Sequence, residues 1–411
     1  MSGPGVFRWF SRCVPALAVA VVAGQARATY APRLVWEAIE DGPAHGYDYA
    51  MSLALCPGGD VVVAGCEESG DRYMPRTWVV RRYDPEGRTR WTCKHPGAWA
   101  AGAAVGADGE AVVAGYEIRD DNDWLIVKYG SGGDIRWSRT MGSAVGGDAN
   151  AYGLALDRWG NAIVTGFVNR PELGQGTDWM TVKLDPAGRV LWTRMYDSPA
   201  HGYDIAGSAA VDADGNVVVA GVEYRPDLGQ SLNWLILKYD PNGKELWRRS
   251  DNGAANGNDS VDGVAVDGSG RITVVGEEAT DPVGWSEHAV IRQYDSDGHE
   301  RWTRTWDVEP GLLVAANAVA ADEQGRLFAA GLSWPLARGE AHRWLLMLYD
   351  AEGATLWRGS YASPERKGDT ACGVAAGPGG LWIVGGHTDR SVRGRATDWL
   401  IRAYRFTDSL R

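Results

Sequence analysis

Cysteine is nearly absent from this chain, with five residues in 411. Cys56, Cys66, Cys93 and Cys372, the four beyond the leader described below, are too few for a disulfide framework. No two are adjacent and none stand in Cys-x-x-Cys spacing, which removes the usual dithiol and thiolate-zinc sites. Positive charge is also short: Lys and Arg number 41 against 53 Asp and Glu, for a net charge of −12. Phosphate binding needs a basic footprint, so this balance excludes nucleic acid and anionic membrane as partners. It suits a cationic ligand instead. The sequence contains no Gly-x-Ser-x-Gly, no phosphate loop and no His-Glu-x-x-His. No apolar run beyond residue 28 approaches the roughly 20 residues of a membrane span.

The first 28 residues read as a cleaved export signal. Arg8 and Arg12 form a basic start, Val14 to Gly24 an apolar core, and Ala26-Arg27-Ala28 a small-x-small cleavage site. Loss of Arg8, Arg12 and Arg27 without any acid would take the charge from −12 to −15. The expectation is an exported protein, periplasmic or extracellular, with a single domain over 29–406 and a tail over 407–411.

Aromatic weight lies with tryptophan, 20 residues against five phenylalanines. An apolar strand, a Tyr-Asp-x-x-Gly turn and a lone Trp recur at a period of roughly 50 residues, the mark of a repeat array. The clearest copy is Trp234-Leu235-Ile236-Leu237-Lys238-Tyr239-Asp240-Pro241-Asn242-Gly243, then Lys244-Glu245-Leu246-Trp247. The same pairing recurs in Trp78/Trp91, Trp124/Trp137, Trp179/Trp192 and Trp344/Trp357, and Ala289 stands in for the first Trp before Trp302. Each unit divides into four short strands, such as Ile205–Val211, 216–220, 234–239 and 244–248, separated by Gly/Pro/Asn/Asp turns with no helical period. A second-strand glycine counts seven units: Gly65, Gly115, Gly166, Gly221, Gly276, Gly331 and Gly385. The fourth-strand Trp follows only six of them, and the missing one stands at the other end, as Trp36. These spacings predict an all-β, seven-bladed β-propeller of four-stranded antiparallel blades. Its ring would be closed by a leading strand around Trp36 that completes the last blade and removes an exposed edge.

Trp36, Trp91, Trp137, Trp192, Trp247, Trp302 and Trp357 are assigned to the core, each burying about 150–250 Å², or at most roughly 4–6 kcal/mol at about 25 cal/mol per Å². The chain resembles the bacterial β-propeller repeat families over 34–406. Its Tyr-Asp-Pro-Asn-Gly-Lys-Glu-Leu-Trp segment is similar to the tryptophan-docking motif of quinoprotein-like propellers. The resemblance implies the fold. Dehydrogenases of that class have eight blades and adjacent cysteines at their cofactor, and neither is present here.

Short stereotyped turns share one face of such a ring, and long variable loops share the other, where sites are usually built. Arg170–Gln175, its near copy Arg225–Gln230, and Trp285, Trp306 and Trp334 fall on that loop-rich face. Two residues after the marker glycine stand Glu67, Glu117, Glu223 and Glu278, with His387 in the last unit. At the entry to the inner strand stand Asp48, Asp204 and Asp259, with Asp369 near the same place. His45, His95 and His201 read as one repeat-equivalent position, on blades too far apart for a tetrahedral zinc site. A carboxylate ring at the channel mouth would take Ca²⁺, which needs six to eight oxygens, or a cationic ligand. The simpler reading is Asp caps on the blade-to-blade turns and solvated loop Glu. Cys66 and Cys372 fall on neighbouring units and would pair if any cysteines do.

The functional expectation is a monomeric, non-enzymatic platform that binds a protein or glycan on its loop-rich acidic face, without a cofactor. The alternatives are a Ca²⁺-assisted hydrolase or lyase at the channel mouth and a structural subunit of the cell envelope.

Overall fold

Among the described residues, β-branched runs broken by Asp-x-x-Gly turns fold into 28 short strands, which hydrogen-bond as seven four-stranded antiparallel sheets. The computed structural model describes residues 30–71, 76–142, 146–174, 176–281, 287–306, 312–335, 342–363, 368–389 and 397–408. The leader expected over 1–28 lies outside them, as does Trp285. Blades 1 to 6 each use four consecutive strands. In blade 7 the strand Tyr30–Glu40 lies on the outer side of Asp398–Asp408, with Ala38 opposite Ile401 and Glu37 opposite Arg402. The ring is therefore a seven-bladed β-propeller closed by its first strand. Blade 1 is tied back to blade 7 by Asp48 N–H donating to the Thr397 carbonyl at 2.8 Å and Thr397 N–H to the Gly46 carbonyl at 3.0 Å.

The blades share no single core. Seven hydrophobic clusters lie in the seams, each built from facing sheets; Val62, Ala64, Trp78 and Val80 of blade 1 pack on Ala111, Val113, Leu125 and Val127 of blade 2. Third-strand Trp residues pin these seams. Trp124, Trp179, Trp234, Trp344 and Trp399 each donate the indole N–H to a backbone carbonyl of the next blade's second strand: Phe167, Val222, Glu277, His387 and Cys66, at 2.8–3.3 Å. Blade 5 has Ala289 at this position, and Trp306 was expected on the loop face. Instead, Trp306 is buried across from Ala289 in the same cluster, and its backbone N–H donates to the Ala289 carbonyl at 2.9 Å. The indole has moved to the residue that follows the neighbouring strand, Glu300–Thr305.

The outer Trp residues form a rim. A methyl placed on Gly87, Gly133, Gly188, Gly243, Gly298 or Gly353 would sit 2.7–3.0 Å from the rings of Trp36, Trp91, Trp137, Trp192, Trp247 and Trp302 respectively. Each ring thus lies beneath the positive-φ glycine of the next blade's last turn. Trp357, at the closure, packs on Phe328 and Phe406 instead.

The marker glycine has a second consequence. A Cβ at Gly65 would overlap the Tyr49 carbonyl, because the innermost strand bulges there, between Ala50 and Ser52. All seven innermost strands carry this bulge. In blade 7 the glycine facing it is Gly386, not Gly385: Ala371 pairs with Gly386, and a Cβ there would overlap the Thr370 carbonyl. The adjacent Gly385-Gly386 pair hides this one-residue difference, which reverses the face of every following side chain.

Candidate functional site at the channel mouth

A bulge leaves one residue unpaired and re-aims its side chain. The bulged residues are Met51, Ala101, Tyr152, Gly207, Asp262, Asn317 and Cys372, and all seven line a central cavity of about 600 Å³. Each stands 14 residues before the glycine that faces its bulge, Gly386 in blade 7, so a constant offset from the marker glycine locates the channel wall in the other six blades from the sequence. Blades 1 to 4 contribute Met, Ala, Tyr and Gly to this ring; blades 5 to 7 contribute Asp, Asn and Cys.

Nearer the loop-rich face, blades 7, 1 and 2 supply a run of aromatic rings. His387 meets Tyr49 edge-on at 4.9 Å, Tyr49 meets Trp99 at 5.9 Å, and Trp99 stacks on Tyr116 at 6.4 Å. Tyr47 stacks on Tyr49 at 6.4 Å, and in blade 3 Tyr152 lies 5.9 Å from Phe167. Tyr49, Trp99, Tyr116 and Tyr152 are all partly open to solvent. The guanidinium of Arg76 lies 5.4 Å from the Tyr49 ring and 5.5 Å from the Trp99 ring.

Blade 5 carries an acid pair across the channel. Glu277 accepts the Ala316 amide of blade 6 at 2.7 Å and the Ser260 hydroxyl, which also lies 3.5 Å from Asp262. Burial drives both carboxyls above the usual range, Glu277 far above, because the Asp262 charge adjoins it. In blade 7, the Cys372 sulfur lies 3.9 Å from His387 Nδ1. Burial pushes that thiol up to about 12 and the imidazole down to about 4. Both are neutral near pH 7, so this is not a thiolate–imidazolium nucleophile.

The predicted residues mostly lie elsewhere. Glu223 is part of a strand that runs to Tyr224, not of a loop, because its ladder continues opposite Asn233. Glu67 is buried between Arg81 and Lys94, both at 2.5 Å. Glu223 accepts the hydroxyls of Tyr196 and Ser250, Glu278 pairs with Arg292 at 2.7 Å, and Glu117 pairs with Arg119. None of these four carboxylates lines the channel. His387 does not share their position: it follows Gly386 directly, beside the Cys66, Tyr116 and Glu277 equivalents, and Thr388 occupies the Glu place.

Asp48, Asp204, Asp259 and Asp369 are fully buried. Asp204 accepts Ser198 N–H at 2.6 Å and Tyr224 N–H at 3.0 Å, Asp259 accepts Gly253 and Ala279, and Asp48 accepts Gly42 and Glu68. Asp369 accepts Ser363 N–H at 2.5 Å and the Thr388 hydroxyl at 2.6 Å. Each carboxylate thus ties the blade-to-blade loop to the second strand. Burial raises all four, Asp48 to about 6. Asp41, Asp48 and Asp398 bring one oxygen each within 4.8 Å of one another at the blade 7–blade 1 seam. Both Asp48 oxygens are already engaged by amides.

His45 and His201 do match each other, at positive φ and hydrogen-bonded to Asp41 and Asp197 at 2.5 and 2.6 Å. His95 lies inside a strand, 2.9 Å from the Tyr129 hydroxyl, and the third member of the set is Asn256. Asn and His are the residues that tolerate this left-handed backbone. Cys66 and Cys372 are free thiols, as are Cys56 and Cys93. They occupy different places in the repeat, a second strand and a bulge. Trp334 is exposed at the end of a blade 6 strand, its ring 4.5 Å from His342.

No protein-family model matches the chain, and no curated protein matches it. Among solved structures it is similar to the polysaccharide lyase Uly1, with 11% identity, 86% of this chain and 89% of that chain covered, and a TM-score of 0.51. It is similar to the Dos1 propeller at 8% identity over 91% and 95% of the two chains, TM-score 0.48. The C-terminal WD40 domain of Sif2 matches at 9% identity over 90% and 97%, TM-score 0.47. Likeness at such identities speaks for the fold alone, and no helix among the described residues is long and apolar enough to cross a membrane.

Proposed function

We propose that this protein is an exported β-propeller that binds a saccharide at the loop-face end of its channel. The run of partly open rings His387, Tyr49, Trp99 and Tyr116 carries the reading. Aromatic faces left partly open to water beside a channel mark a binding surface, and the C–H faces of a sugar ring stack on such planes. The wall opposite offers Ser260, Asp262 and Asn317 for hydroxyl groups. A polysaccharide lyase among solved propellers of similar fold is in keeping with a carbohydrate ligand. Isothermal titration against neutral and acidic oligosaccharides tests it. Wild-type protein should bind at least one of them, and Trp99→Ala should weaken that binding at least tenfold while the fold is retained. A chain that binds none would remove the reading.

A protein partner is the second reading. Leu173 and Leu228, on matching short helical turns of blades 3 and 4, are more than half exposed, as is Tyr203 in the loop between those blades. Combined substitution of the three by Ser should abolish such a contact in a cross-linking assay and leave sugar binding intact.

A further inference from the structure

Among the described residues, Arg76 differs from five other arginines of the blades. Arg81 pairs with Glu67, Arg119 with Glu117, Arg225 with Asp227, Arg292 with Glu278 and Arg402 with Glu37. Among the described residues no carboxylate lies within ion-pair distance of Arg76. Its cross-strand neighbour is Glu68, but that carboxylate accepts the Tyr47 amide at 2.9 Å. The Arg76 side chain donates from Nη1 to the Tyr47 carbonyl at 2.5 Å. A guanidinium has five N–H donors in a planar fork, so this bond leaves most of its hydrogen-bonding capacity unspent. Contact with the Tyr49 and Trp99 rings holds the group by cation–π attraction. In a chain of net charge −12, an arginine kept clear of carboxylates and fixed on the rings of the proposed sugar site is poised for an anion from outside.

We infer that the saccharide is anionic, its carboxylate or sulfate received by the Arg76 fork while its ring lies against Tyr49 and Trp99. This inference rests on the sugar-binding reading above. On the far wall, Glu277 is engaged by the Ala316 amide and the Ser260 hydroxyl and so is turned to its own scaffold.

Three matched β-1,4-linked glucose tetrasaccharides test the inference by calorimetry: the neutral oligomer, its C6-oxidised form and its 6-O-sulfated form. Wild-type protein should bind at least one anionic form ten times or more tightly than the neutral one, and raised salt should shrink that ratio. Whichever anionic form is preferred identifies the source of the charge. In Arg76→Gln the ratio should fall to about one, and Arg76→Lys, which keeps the charge without the fork, should lie between. A wild-type ratio of one or below overturns the inference and leaves the sugar-binding reading standing, and so does a preference that survives in a folded Arg76→Gln. Failure of all three oligomers to bind removes both. Should Arg76→Gln not fold, the wild-type ratio and its salt dependence decide alone.

Discussion

The rim and the channel wall of this propeller are drawn from the same repeats, yet one is uniform and the other is not. At the rim, six Trp rings lie under six turn glycines in the same way. At the channel, seven equivalent bulges present Met, Ala, Tyr, Gly, Asp, Asn and Cys. A rim position must fill a fixed gap between sheets, and close-packed gaps tolerate little variation. A bulged residue points into open space, where nothing in the fold selects it. Uniformity therefore marks what holds the ring together, and variation marks where a ligand would be read.

Removing the closing strand, residues 30–40, should break this comparison outright. With a three-stranded last blade, both the rim and the channel lose their frame, and circular dichroism should show no cooperative thermal transition. Next in size, Trp192→Ala should cost about 3–5 kcal/mol in denaturant unfolding, since the ring lies under Gly243 and donates to the Pro241 carbonyl at 3.1 Å. Trp99→Ala, at the partly open mouth, should lose far less stability but most of the sugar binding. Equal stability losses for the two would undo the distinction between rim and wall.

Asp48→Ala should cost about 1–3 kcal/mol by leaving the buried Gly42 amide and the half-buried Glu68 amide without an acceptor. The smallest effect concerns the acid pair. Both carboxyls are raised in the folded chain, so their contribution to stability is greatest when they are protonated and is lost as pH rises above the ordinary carboxylate range. Asp262→Asn removes that loss. It should raise the melting temperature by a few degrees at pH 8 and have little effect at pH 4. A lower melting temperature at pH 8 would mean that the pair is a structural tie instead.

The ring count and the closure were legible because each rests on a residue type that recurs at fixed spacing. The site was less legible. Glu67, Glu117, Glu223 and Glu278 also recur, but that recurrence does not reveal their partners: Arg81, Lys94, Tyr196, Ser250 and Arg292 lie on strands 14 to 27 residues away, and Arg119 lies two residues after Glu117. Trp306 shows the same limit, since its burial depends on an alanine 17 residues earlier.

What the sequence determined alone is the repeat: four strands, a marker glycine, a turn and an indole, since local spacing encodes local hydrogen bonding. Tertiary structure alone decided which side chains of different blades meet near the axis and which charges remain unpaired there. It set His387 beside Cys372 and Tyr49, and left Arg76 on two rings without a carboxylate among the described residues. Those facts depend on distances between blades, and a chain read along its length contains no such distances.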